Sequence, residues 1–313
     1  MISIAMTTYN GEKYLREQLD SILNQTVQDF ELVICDDCSK DSTVQILNEY
    51  SAKDKRVKVF VNEQNLGFKK NFEKAINLCT GDYIAFCDQD DVWNKNKLEL
   101  SLNEIKDKSL LCTNAELVDF ELNPLGYTME QTRTVNVPQG DQELLKYLVH
   151  YNFVQGATVL AHSDFIKKYM PIPSDIKFHD WYFAICAVLE NGIAYLCEPT
   201  LKYRQHTNNV TENTKKTFLT RIRLGKYNAH QISLKCKQSI CFVELISKSS
   251  TWGDILKEFL EDTKKYYECL PQKKFYILKY LSKYYYLFGK NKGYLLFRRF
   301  LGIVRYKLFL QNQ

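Results

Sequence analysis

The sequence predicts an α/β protein with a doubly wound, mostly parallel sheet and a helical C-terminal extension. Three observations carry this expectation. From Ile2 to Asp91, short apolar runs rich in β-formers alternate with stretches whose apolar residues recur at helical spacing. The polar clusters fall at the ends of the apolar runs, where an open α/β sheet keeps its ligands. After about residue 215 the chain changes character, and basic residues interleave with aromatics.

Taken in order, Ile2 to Thr7 forms the first strand, and Thr7-Thr8-Tyr9-Asn10-Gly11 is a turn signal. Tyr14, Leu15, Leu19, Ile22 and Leu23 mark a helix. Glu31 to Cys35 is a second strand that ends in Asp36-Asp37-Cys38-Ser39. Ser39 or Asp41 can cap the next helix, which carries Val44, Ile46 and Leu47. Val57, Val59 and Val61 alternate as a third strand before Asn65-Leu66-Gly67, and Phe72, Ala75, Ile76 and Cys79 line a third helix. Tyr83 to Cys87 is then a buried strand of the same sheet. Strands alternating with helices imply right-handed crossovers. Further on, Phe153 to Val159 reads as a strand with Gly156 inside it, Phe178 to Tyr182 opens a helix, and Ile193 to Cys197 is another strand. The expected domains are 1–215, holding the site, and 216–313, a helical region for membrane association or oligomerisation.

Composition limits the function classes. The 313 residues, 45% hydrophobic, can build one large α/β domain with an appendage. Ten cysteines are scattered, and Cys35-Asp36-Asp37-Cys38 has no second pair to complete a zinc site. No signal peptide precedes the first strand, so reduced thiols in a cytoplasm are expected. The net charge of +5 hides an asymmetry: ten Lys/Arg and no acidic residue follow Glu268, whereas residues 1–268 hold 32 basic and 37 acidic residues. Neither GxxxxGK[ST] nor GxGxxG occurs, so a bound diphosphate would need a metal rather than a glycine loop.

Asp88-Gln89-Asp90-Asp91 supplies the means. Its three carboxylates follow a buried strand, where burying them uncompensated is costly. Hard divalent cations take oxygen ligands, so a metal site answers the repulsion better than a solvated turn does. For Asp36 and Asp37 the alternative is helix capping, although Ser39 and Asp41 already serve that purpose.

Ile4-Ala5-Met6-Thr7-Thr8-Tyr9-Asn10, Asp36-Asp37-Cys38-Ser39, Asn65-Leu66-Gly67 and Asp88-Gln89-Asp90-Asp91-Val92-Trp93 together resemble the family 2 glycosyltransferases of the GT-A fold. The resemblance covers roughly the first 210 residues. Within that family, the DQDDVW, His179-Asp180-Trp181 and Tyr203-Arg204-Gln205-His206 segments look most like bacterial rhamnosyltransferases.

The resemblance implies roles. Thr8, Tyr9, Asn10, Asp36 and Asp37 would hold the nucleotide, with Asp37 accepting the N3–H of uracil or thymine. Gly67, Lys69, Asp88, Gln89 and Arg204 would serve the diphosphate or its loop, and Trp93 would offer a face to a sugar ring or be a core residue. Asp90, with Asp88 and His206, would ligate Mn²⁺ or Mg²⁺. Asp180 would be the general base of an inverting transfer, the alternative being a helix N-cap.

The expected partners are a nucleotide-diphosphate sugar donor, with dTDP-rhamnose first and a UDP-hexose or UDP-N-acetylhexosamine next, and a growing glycan or lipid-linked oligosaccharide acceptor. The basic, aromatic tail suits an anionic membrane surface on the inner face of the cell membrane, or a homo-oligomer contact. The acidic body weighs against nucleic acid. Two other classes stay open: a non-catalytic sugar-nucleotide-binding or scaffold subunit, and an aspartyl phosphotransferase. The latter needs its nucleophile at the end of the first strand, where Thr7-Thr8 stands.

Overall fold

The structure is a computed structural model that describes residues 1–133, 136–206, 229–270, 276–284 and 286–287, with the backbone alone at 229–232. Its first half runs β1 (Ile2–Thr8), α1 (Leu15–Leu23), β2 (Phe30–Asp36), α2 (Thr43–Lys53), β3 (Val57–Val61), α3 (Phe68–Leu78) and β4 (Tyr83–Cys87). There follow β5 (Val92–Trp93), α4 (Lys97–Ile105), β6 (Leu110–Val118), β7 (Pro124–Thr128), α5 (Asp141–Leu148), β8 (Val159–His162), α6 (Ser163–Lys168), α7 (His179–Leu189) and β9 (Ile193–Arg204). Four further helices are α8 (Ala229–Ser247), α9 (Trp252–Ile255), α10 (Lys257–Cys269) and α11 (Tyr276–Lys283).

The expected α/β sheet is present. Its order is β3-β2-β1-β4-β8-β6-β9-β5, with β7 on β6. β1, β2, β3 and β4 pair in parallel, as their helical crossovers require, and β8 joins β4 and β6 antiparallel. β2 is buried along its whole length, which explains why Phe30 to Cys35 reads as a mostly apolar run rather than an alternation. α1 buries Leu15, Leu19 and Ile22 completely, at the i, i+4, i+7 spacing that faces a helix toward a sheet. Truncating one of them, as in Leu19→Ala, would cost about 2–5 kcal/mol.

Register decides where the loops emerge. Thr8 lies opposite Asp36, and Met6 opposite Cys87, so the carboxyl ends of β1, β2 and β4 are level. The chain goes from β1 outward to β2 and β3, then returns to place β4 on β1's other side. Loops after β1 and β4 therefore part at the switch point, the usual crevice for ligands.

The Phe153 to Val159 stretch is not a single strand. Gly156–Thr158 forms a 3-10 turn, because Thr158 N and Oγ1 both donate to the Gln155 carbonyl at 2.9 and 2.7 Å. Pairing starts only at Val159.

The chain forms two compact units. The first comprises Met1–Thr132, Val154–Ile172 and Phe178–Thr214. The second comprises Arg133–Phe153, Pro173–Lys177 and Lys215–Gln313, and its described part is helical. Its centre is a hydrogen-bonded hub. The His150 ring nitrogens meet Tyr267 OH at 2.7 Å and Tyr280 OH at 2.9 Å, and Tyr280 OH also meets Thr263 Oγ1 at 2.7 Å. Tyr266 stacks on Tyr280 at 4.4 Å. Tyr284 and Leu287 are buried too, so this part of the aromatic tail packs on protein, whereas Tyr286 is exposed. The basic-aromatic segment 288–313 lies outside the described residues. Among the described residues no helix is long and apolar enough to cross a membrane.

Candidate active site

The first unit holds a cavity of about 400 Å³ at the level carboxyl ends of β1, β2 and β4. Thr7, Thr8 and Tyr9 line it at the end of β1, Asp37 just after β2, Gly67 before α3, Asn71 and Phe72 on α3, and Asp88, Gln89 and Asp90 after β4. Gln155, Gly156, Phe178, His179, Asp180 and Tyr203 complete the wall.

The β2 loop is tied down by hydrogen bonds. Asp36 is buried, and its carboxylate accepts from Thr8 Oγ1 at 2.8 Å, Ser39 N at 2.9 Å and Ser39 Oγ at 2.6 Å. That clamps β1 to the β2 turn. Asp37 accepts Asn62 Nδ2 at 2.9 Å and Leu66 N at 2.7 Å on one oxygen, and Gly67 N at 2.9 Å on the other. Asn62 is held in turn by Asn71 at 2.8 Å and Lys74 at 2.7 Å. Asp37 thus fixes the loop before α3, whose Gly67 takes φ 79°, a conformation glycine adopts freely. Capping of α2 falls to Asp41, which accepts Thr43 N at 3.0 Å.

The β4 loop is built differently. Gln89 spans the crevice: its Oε1 accepts Tyr9 N at 2.8 Å and its Nε2 donates to Tyr9 O at 3.1 Å. This contact is so close that a Cβ on Gly11 would lie 2.3 Å from Gln89 Oε1. Among the described residues no donor reaches the Asp88 carboxylate. Burial, with Asp90 and Asp180 nearby, pushes its pKa up to about 7. Asp90 meets His206 Nε2 at 2.7 Å, and the His206 ring stacks on Tyr14 at 5.1 Å. Asp91 is buried, accepts Arg204 N at 3.1 Å on one oxygen, and among the described residues has no partner on the other. Its pKa is driven well up by burial and by Asp90 and Asp88.

Asp180 sits in the first turn of α7. Its Oδ2 accepts Gly156 N at 3.1 Å and its Oδ1 accepts Trp181 N at 2.7 Å, which aim the carboxylate at the cavity it lines. Its charge adds to the upward push on Asp88.

Several residues expected at the site are placed elsewhere. Trp93 is buried in the sheet core, with the Lys97 ammonium 4.8 Å over its ring, and offers no face to a sugar. Arg204 is buried and does not border the cavity. Its guanidinium pairs with Glu17, donates to the Asp90 and Phe120 carbonyls at 2.7 and 2.6 Å, and lies 4.4 Å from the Tyr14 ring centre. An arginine so engaged holds the Asp90 loop rather than a diphosphate. Asp36 acts behind the lining, and Lys69 and Asn10 do not border the cavity. Asn10 instead bridges to the β2 turn through Ser39 Oγ at 2.9 Å and Lys40 N at 2.8 Å. The sequence reading missed Asn71, Phe72, Gln155 and Tyr203 as lining residues. Gly156, beside Gln155, carried a signal, since a glycine permits close approach, and Tyr203 opens the Tyr203-Arg204-Gln205-His206 segment.

The donor set at Asp88 and Asp90 is hard oxygen, and mutual repulsion is its main unbalanced force, which fits a divalent cation. Among the described residues no group of three or more His, Cys, Asp or Glu side chains closes a cage. His206 is turned to Asp90 as a hydrogen-bond partner. A cation here would depend on a ligand's oxygens to complete its shell.

Residues 3–167 match the family model described as glycosyl transferase family 2. The chain belongs to the family 2 glycosyltransferases. This glycosyltransferase is 29% identical over 215 residues to the dTDP-rhamnosyl transferase RfbG of Shigella flexneri, spanning 65% of this chain and 72% of that protein. Its fold is similar to that of S. aureus TarS 1-349 in complex with UDP-GlcNAc, with a TM-score of 0.59 and 21% identity over 86% of this chain and 72% of that one. It is also similar to that of the mannosyltransferase PcManGT from Pyrobaculum calidifontis, in complex with GDP-Man and Mn2+. There the TM-score is 0.52 at 12% identity, over 86% of this chain and 70% of that one. The GT-A expectation therefore holds for the fold.

Proposed function

We propose that this glycosyltransferase moves a sugar, with inversion, from a nucleoside diphosphate to a glycan hydroxyl. The single observation that carries the reading is the meeting of Asp37, Asp88, Asp90 and Asp180 in one cavity. Asp37 and the Tyr9 turn would take the base and ribose, and Gln89 would keep that turn in register with the β4 loop. Asp90, with Asp88, would hold Mn²⁺ or Mg²⁺ against the diphosphate. The ion's contribution is to offset the diphosphate charge as the nucleotide leaves. The Mn²⁺ and GDP-Man bound by PcManGT, and the UDP-GlcNAc bound by TarS, support a nucleotide-sugar donor with a divalent cation.

Asp180 would then act as general base. The acceptor hydroxyl gives its proton to the Asp180 carboxylate, and its oxygen forms the new bond to the anomeric carbon. The sugar–phosphate C–O bond breaks, and the electron pair leaves with the diphosphate. The Gly156 and Trp181 N–H groups orient the carboxylate for that transfer. His206 and Arg204 position the Asp90 loop.

The dTDP-rhamnosyl transferase relative supports rhamnose from dTDP-rhamnose as the first donor to try, with UDP-hexoses and UDP-N-acetylhexosamines next. A growing, lipid-linked cell-surface glycan is the acceptor class that follows. Residues 288–313 carry six Lys/Arg and no acidic residue, which suits an anionic membrane surface. Purified protein incubated with these nucleotide sugars and Mn²⁺, Mg²⁺ or EDTA should release nucleoside diphosphate only with metal. Full release in EDTA contradicts the reading. Removing 288–313 should free the protein from anionic vesicles, and unchanged binding would assign the attachment elsewhere.

A further inference from the structure

His179 borders the cavity, yet the transfer does not use its chemistry. Its ring lies 4.3 Å from Phe72 and 5.2 Å from Phe86, centre to centre, so a phenylalanine would pack there as well. The imidazole brings two polar atoms into this aromatic slot. Among the described residues neither nitrogen has a hydrogen-bond partner, and both are shut off from solvent. Burial pulls the ring down to about 3, so it is neutral, with one N–H to donate and one bare nitrogen to accept. A polar group stranded this way calls for an explanation.

The placement supplies one. His179 precedes Asp180 on α7, and both border the cavity. A Cβ on Gly156 would lie only 3.3 Å from His179 Nε2, so the turn whose N–H orients Asp180 leaves room for the ring by carrying a glycine. A half-turn about the Cβ–Cγ bond preserves the ring plane and its packing on Phe72 while exchanging each nitrogen with a ring carbon. A neutral imidazole flanked by aromatic faces suits a group that is uncharged, can donate and accept, and hangs from an apolar ring. A sugar hydroxyl is such a group.

We propose that His179, with its ring turned over so that a nitrogen rather than a ring carbon borders the cavity, reads one sugar hydroxyl beside the Asp180 carboxylate and thereby sets which sugar the cavity accepts, an inference that rests on the transfer reading above. A site built to bond a hydroxyl rejects the analogue that lacks it, because its own polar group is then left unpaired. The hydroxyl belongs to the donor sugar or to the acceptor sugar, and two series of probes separate them.

The test compares the wild type with His179→Phe, which keeps the aromatic packing and removes both nitrogens. UDP and dTDP binding by calorimetry should match between the two, showing an intact nucleotide site. Each is then given singly deoxygenated forms of a turned-over nucleotide sugar, and separately of the acceptor. In the wild type one missing hydroxyl should lower kcat/KM by about 10- to 100-fold, and in the variant that penalty should shrink to less than about 3-fold. The penalties at the other hydroxyls should persist. The series in which the collapse occurs identifies the sugar that is read. His179→Asn, which restores a donor and an acceptor, should recover part of the discrimination.

If the variant turns over yet keeps every deoxy penalty, His179 only packs, and the proposal is overturned. Should the Phe substitution prevent folding, His179→Leu carries the same comparison. Wild-type protein that binds neither UDP nor dTDP and releases nucleotide from no nucleotide sugar overturns the transfer reading itself. That outcome is distinct from a working enzyme indifferent to His179.

Discussion

Two aspartate loops stand at the carboxyl ends of neighbouring strands, and they solve the burial of charge in opposite ways. Asp36 and Asp37, after β2, each accept three hydrogen bonds from protein donors. The carboxylates of Asp88, Asp90 and Asp91, after β4, receive between them only His206 Nε2 and Arg204 N among the described residues. The charge of the first pair is met by the chain's own donors. The second is held in place by Gln89 and Arg204 but left electrostatically unbalanced, which raises Asp88 to about 7 and Asp91 well above the carboxylate range. Rigid loops with uncompensated charge are what a cation and an anionic ligand can stabilise.

The largest effect that would sharpen this contrast is on catalysis. Asp90→Ala should lower transfer by at least about 10³-fold, the several kcal/mol a bound metal contributes. It should also weaken donor binding, as calorimetry would register. Wild-type turnover in the variant would place the cation elsewhere.

Asp180→Asn comes next. It keeps the shape and cannot take a proton, so turnover should fall by about 10²-fold or more while donor affinity barely changes. A joint collapse of binding and turnover would make Asp180 structural.

Stability should separate the loops with opposite signs. Asp36→Asn replaces an acceptor facing three donors and should cost about 1–3 kcal/mol in denaturant unfolding. Asp88→Asn in metal-free buffer removes a repelled charge and should stabilise the protein or leave it unchanged. Equal destabilisation by both would erase the contrast.

The smallest effect is a pH slope. The folded pKa of Asp88 is raised to about 7 from its ordinary 3.8, so the folded chain binds the extra proton within that window. Wild-type stability from this group therefore rises as pH falls from 7 toward 3.8, and its penalty is full above 7. The advantage of Asp88→Asn over wild type, without metal, should shrink on acidification by up to about 1.4 kcal/mol per pH unit. A pH-independent difference would mean Asp88 is not charge-strained.

Much of this was legible in the chain. The runs of β1, β2 and β4 mark the parallel core because they are buried almost throughout, β3 shows as an alternation, and the aspartate motifs mark strand ends because register makes those ends level. Arg204 was not legible as a structural residue, and for Trp93 the sequence left a core place and a sugar face equally open. Whether an indole or a guanidinium faces a ligand or the protein depends on Lys97, Glu17 and Tyr14, which are remote from Arg204 in sequence or ambiguous in spacing. The Gln155 turn was hidden because Val154 and Ala157 to Val159 suit a strand locally, and only the two bonds from Thr158 to the Gln155 carbonyl decide otherwise.

The central claim is that a divalent cation completes the Asp88–Asp90 loop when a nucleoside diphosphate is bound. Calorimetric titration of the protein with UDP and with dTDP, in Mn²⁺ and in EDTA, tests it directly. Affinity for at least one should rise by about 10²-fold or more with Mn²⁺ in the wild type, about 2.7 kcal/mol, and should not respond to Mn²⁺ in Asp90→Ala. Tight binding that is the same with Mn²⁺ and with EDTA would contradict the account.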